Sequence, residues 1–171
     1  TSLEIEQTAQ KTELVLRAGA VLRGQVFDAV GRPLAGRLLE VSGDFSGPSV
    51  VTGRDGRFSV EVSTGRIQMT GFEQGCSHYL RLTQGGSEVV LGRAPGTVAL
   101  EVNAPPSKGV SVFVMRGDLA LEPDPYSMIE KTEWAQSRPL GADGMSVFTG
   151  LAPGRYTVVT GTVSSVRLDS I

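Results

Sequence analysis

Few side chains in this sequence could do covalent or metal chemistry. The one cysteine, Cys76, stands two residues from the one histidine, His78. Alternate residues of a strand share a face, so a thiol–imidazole contact is within geometric reach. Such a pair needs a third group to orient the base, and none is spaced to serve. Cys76-Ser77-His78 therefore reads as a loop leading into the strand Tyr79-Leu80-Arg81-Leu82. One cysteine excludes an internal disulfide, and one cysteine with one histidine excludes a zinc cluster. No G-x-S-x-G nucleophile elbow is present. Asp118, Glu122 and Asp124 could offer oxygens to calcium, but their spacing matches no EF-hand and Pro123 and Pro125 stiffen the stretch. They read as solvated loop carboxylates, and Asp28, Asp55 and Asp143 as turn formers. No cofactor, metal or catalytic residue is expected.

The aromatic pair Tyr126 and Trp134 is a different kind of candidate. Aromatic side chains on a loop can stack on a sugar or anchor a protein interface. They lie in a segment, Gly117 to Ala142, that carries no strand alternation. Asp124-Pro125 is a helix start, and the segment is expected to be a long loop with a helix from about Tyr126 to Gln136. If a partner binds anywhere, Tyr126, Met128 and Trp134 are the expected contacts. The competing reading is that this helix simply packs on the sandwich edge.

The elements that would hold these residues are short strands. Leu22, Gly24 and Val26 alternate with polar neighbours, as do Phe58, Val60 and Val62, then Val98, Leu100 and Val102, then Val110, Val112 and Val114. A period of two places each set on one face of a strand. The 22 glycines and 9 prolines in 171 residues punctuate these runs at sandwich-like spacing. A net charge of -2 gives no basic excess for nucleic acid. No apolar run approaches the roughly 18 residues that span a bilayer.

The sequence also repeats itself. Asp55-Gly56 precedes an apolar strand, then Gly65-Arg66-Ile67 opens another that ends at Gly71. Asp143-Gly144 precedes a second such strand, then Gly154-Arg155-Tyr156 opens another that ends at Gly161. The copies lie about 88 residues apart, the length of one small sandwich. Ala94-Pro95-Gly96 is the natural seam. The expected organisation is a linker or the end of a preceding module over 1–13, one β-sandwich over 14–93, and a second, divergent one over 94–171 with its insertion at 117–142. A chain beginning at Thr1 is read as a mature or excised part of something longer.

Gly24-Gln25-Val26-Phe27-Asp28, followed by Gly31-Arg32-Pro33-Leu34-Ala35-Gly36, resembles the opening of carboxypeptidase-regulatory-like domains, which are transthyretin-like. Thr52-Gly53-Arg54-Asp55-Gly56-Arg57-Phe58 resembles the turn and strand that follow. Phe148-Thr149-Gly150-Leu151-Ala152-Pro153-Gly154-Arg155-Tyr156 resembles the F-x-x-L-x-P-G-x-Y segment of the same family, although the second copy lacks the G-x-V-x-D opening. The resemblance implies an all-β fold of two tandem Greek-key, prealbumin/Ig-like β-sandwiches. It further implies a non-catalytic structural or protein-interaction module of an exported or cell-surface bacterial protein: extracellular, surface-bound or periplasmic. A protein partner is expected and nucleic acid is not. The alternatives are a carbohydrate-binding module, or the accessory domain of a larger enzyme or transport receptor.

One covalent staple is expected to be missing. A Lys–Asn isopeptide bond would need Asn103, the single asparagine, beside one of Lys11, Lys108 and Lys131. Only Lys108 is near in sequence, across the Pro105-Pro106 turn, which is poorly placed for a cross-strand link.

Overall fold

The computed structural model describes residues 19–43 and 47–162. The expected linker over 1–13 lies outside the described residues. Strands run in the order β1 (Gly19–Val26), β2 (Leu38–Ser42), β3 (Ser49–Val51), β4 (Arg57–Ser63), β5 (Gly65–Thr70), β6 (Ser77–Leu82) and β7 (Ser87–Leu91). The second part holds β8 (Val98–Asn103), β9 (Val110–Arg116), α1 (Pro125–Lys131), β10 (Trp134–Pro139), β11 (Met145–Leu151) and β12 (Tyr156–Thr162). All four alternating runs are strands, in β1, β4, β8 and β9. The fold is an all-β sandwich with one short helix.

One layer is a seven-stranded sheet in the order β12-β9-β10-β6-β5-β2-β3. Facing it are a three-stranded sheet, β4-β1-β7, and a two-stranded sheet, β11-β8. Leu22, Phe58 and Leu91 of the three-stranded sheet bury against Leu39, Met69 and Leu80 of the large one. Phe148 and Leu151 bury against Val112 and Val114 farther along it. The two smaller sheets meet where β11 bulges between Phe148 and Leu151. A Cβ on Gly150 would lie 2.3 Å from the carbonyl oxygen of Gly92, at the end of β7, so only glycine permits this approach.

The sequence repeat is a repeat of topology. In the first copy β1 pairs with β4, and β2 pairs with both β3 and β5. In the second copy β8 pairs with β11, and β9 pairs with both β10 and β12. The turns match bond for bond. Gly56 N donates to Gly53 O and Gly144 N to Gly141 O, each at 2.9 Å. Asp55 Oδ1 accepts from Arg57 N, and Asp143 Oδ1 from Met145 N. Gly56 and Gly144 both take positive φ, 73° and 80°, as such a turn requires.

The expected seam at Ala94 falls between β7 and β8, yet the large sheet runs across it. Strand β10 of the second copy pairs antiparallel with β6 of the first, Gln136 opposite His78 and Trp134 opposite Leu80. β10 occupies the position that the three-residue edge strand β3 holds in the first copy.

The segment from Gly117 to Ala142 differs from its expected form. The helix starts as expected, with Asp124 as N-cap accepting from Tyr126 N and Ser127 N and Pro125 in the first turn. It ends at Lys131, and Trp134 to Pro139 is strand rather than helix or loop. The period-two signal fails here because Ala135, Gln136 and Ser137 are all buried. A central strand covered on both faces shows no alternation.

Candidate functional site

Tyr126, Met128 and Trp134 do not converge. They are divided between the two faces of the seven-stranded sheet. α1 lies on the outer face, where Met128 and Ile129 pack on Tyr79, Phe113, Met115 and Ala135. Met128 is 1% exposed and belongs to this core, so it offers no surface to a partner. Tyr126 is half-buried at the margin of the same cluster, its ring edge-on to Phe113 at 5.6 Å.

Trp134 lies on the inner face and packs against both inner cores, that of the first copy and that of the second. An aromatic file crosses the junction through it. Phe72 meets His78 at 6.2 Å, His78 meets Trp134 at 5.1 Å, and Trp134 meets Tyr156 at 5.8 Å, all edge-on. Such pairs contribute about 0.5–1.5 kcal/mol each beyond their area burial. Tyr156 also donates its hydroxyl to Ala152 O, four residues upstream. This bond fixes the Pro153-Gly154 turn, in the manner of the tyrosine corner of other sandwiches.

A cleft of about 340 Å³ opens between the two copies and is lined by Trp134, Tyr156, Arg116, Glu88 and Pro95. Its two rings stand at 65° to each other and form no shared flat platform on which a sugar ring could stack.

Cys76 and His78 are both buried, and burial moves each away from reactivity. Desolvation pushes the Cys76 thiol up to about 11, the Arg138 guanidinium opposing it only in part. Burial alone pushes the His78 imidazole down to about 3. A nucleophilic thiolate beside a proton-accepting base needs the thiol shifted the other way. His78 is held by packing and by Gln136, whose Nε2 lies 3.5 Å from Nδ1 and 3.3 Å from Thr149 O.

The loop carboxylates are each engaged locally. Asp118 pairs with Arg155 at 3.0 Å, Glu122 pairs with Lys131, and Asp124 caps α1. Asp28 Oδ1 accepts from Val30 N and Arg32 N, both at 2.9 Å, which is the turn role expected of it. Among the described residues, no group of three or more His, Cys, Asp or Glu side chains could hold a metal ion. No helix among them is long and apolar enough to cross a membrane.

A second concavity lies on the outer face beside α1, and of the three contacts expected from the sequence only Tyr126 lines it. It measures about 590 Å³ and is lined by Ser42, Arg66, Gln68, Tyr79, Arg81 and Tyr126. Arg66 and Arg81 sit directly opposite each other on β5 and β6. Like charges at facing positions announce such a site, but pairing register is not written in the sequence.

No protein-family model matches the chain. No curated protein matches it. Among solved structures it is similar to the Bacillus anthracis TIE protein, at 12% identity and a TM-score of 0.37, over 84% of this chain and 29% of that one. It is similar to a DUF3823 family protein from Parabacteroides merdae, at 18% identity and a TM-score of 0.36, over 87% of this chain and 83% of that one. It is also similar to the streptococcal ancillary pilin, at 14% identity and a TM-score of 0.34, over 96% of this chain and 65% of that one.

Proposed function

We propose that this chain is a non-catalytic structural and protein-interaction module of an exported or cell-surface bacterial protein, built from two carboxypeptidase-regulatory-like repeats. The observation that carries the reading is the pairing of β6 with β10, which makes one sheet of two repeats. Separate modules on a linker move relative to each other by default, whereas a large, apolar shared interface suppresses that motion. Here the joint combines backbone ladder bonds with the aromatic file through His78 and Trp134. A unit of this kind holds whatever is attached at either end at a fixed separation. The titration of its two reactive side chains supports the same reading, because Cys76 stays a thiol and His78 stays neutral near pH 7.

Mechanical unfolding tests the proposal. A chain stretched by its ends is expected to rupture once. About 140 ordered residues at ~3.5 Å each would then release roughly 500 Å of contour. Two ruptures, each releasing about half that length, would show two independent modules on a string and refute the rigid-unit reading.

A further inference from the structure

The outer face of the seven-stranded sheet carries two arginines where one would expect opposite charges. Arg66 on β5 and Arg81 on β6 are register partners, and like charges directly opposite each other are destabilising. Among the described residues neither lies within ion-pair distance of a carboxylate. Each is tethered instead by one nitrogen to a backbone carbonyl at the end of α1. Arg66 Nη2 donates to Thr132 O, and Arg81 Nη2 to Glu130 O, both at 2.9 Å. Arg66 Nη1 is buried with no hydrogen-bond partner. A buried donor on a charged group is costly to leave unmade. The Glu130 side chain is exposed near the rim without pairing to either arginine, and Lys131 is engaged by Glu122.

We propose that Arg66 and Arg81 form a binding site for a carboxylate group, seated in the groove between α1 and β5. A guanidinium presents planar N–H pairs that match the two oxygens of a carboxylate. The tethers to Glu130 O and Thr132 O hold both forks in place before any ligand arrives, which lowers the entropic cost of binding. Gln68, Ser42 and Tyr126 add polar groups along the groove. A bound carboxylate would relieve the repulsion between the facing arginines. Its source is either an acidic side chain on a protein partner or a small polycarboxylic acid. The site rests on the shared-sheet reading, since β5 and β6 belong to the first copy and α1 to the second; carboxylate binding and mechanical rupture are separate readouts, so either can fail alone.

Titration calorimetry of the whole chain at constant ionic strength tests this, with citrate, a hexaglutamate peptide and inorganic phosphate as separate probes. Saturable binding of citrate or of the peptide is expected, weakened about tenfold or more in Arg81→Gln and Arg66→Gln, as the loss of one charge-assisted bond predicts. Arg32→Gln, which removes the same charge at a distant turn, should leave it unchanged. If Arg66→Gln fails to fold, Arg81→Gln decides the matter, because Arg81 is exposed. Tighter binding of the peptide identifies a polypeptide source, and tighter binding of citrate a small acid; both support the site. No saturable binding, phosphate binding as well as citrate, or equal weakening in Arg32→Gln would each overturn it.

Discussion

His78 enters the sheet interior with Nε2 unpartnered and its Nδ1 beside the Gln136 amide, so burial pushes its pKa down to about 3. An unfolded chain binds a proton at this residue near pH 6.5, and the native chain does not. Below that value the unfolded state holds the extra proton, so stability falls as pH drops toward about 3. The sign is that of any buried neutral histidine: acid favours unfolding. Between pH 6.5 and 5 the expected loss from this residue is about 1.5 kcal/mol. His78→Gln should flatten that part of the stability–pH curve in urea titrations. A slope unchanged by the substitution would mean that His78 already titrates normally in the fold. The sequence made His78 visible only as the partner of Cys76. It could not show that both side chains face an interior, because burial on a central strand depends on what covers the sheet from either side.

At the scale of elements, the ends of α1 were unequally legible. Its start is written in Asp124-Pro125, a cap and a residue preset for the first turn. Its end is not, since Glu133-Trp134-Ala135-Gln136 carries no stop signal and the chain turns there only to pair with β6 and β9. A seven-residue helix is not stable by propensity alone, so packing must hold it. The two contributions can be separated. Asp124→Ala removes the cap and should cost about 1 kcal/mol. Met128→Ala empties a site on the sheet face that is 1% exposed, and should cost about 3 kcal/mol. Denaturant midpoints measure both. If Met128→Ala cost no more than Asp124→Ala, Met128 would not be core, and its expected place among the partner contacts would stand again.

The two copies were legible from their turns, because Asp-Gly and Pro-Gly fix local geometry wherever they fall. Their joining was not legible, because edge-to-edge pairing of β6 with β10 leaves no local signal in either strand. Yet that joint governs how the molecule behaves as a whole. Cut at Ala94, the first copy keeps its own two layers, with Leu22, Phe58 and Leu91 over Leu39 and Met69. The second copy keeps only β12-β9-β10 beneath β11-β8, and its Trp134 loses Leu80 and His78. It would also expose β10 as a bare edge, its unpaired N–H and C=O groups free to recruit another strand. Residues 19–93 produced alone are therefore expected to fold, while residues 94–162 alone should give poorly dispersed amide spectra or aggregate. Mixed, the two should combine one to one at micromolar affinity or better, roughly −8 kcal/mol, and recover the spectrum of the intact chain. Two halves that each fold sharply and ignore one another would show that the continuous sheet contributes little. Recovery on mixing would show that the second repeat is completed by the edge of the first.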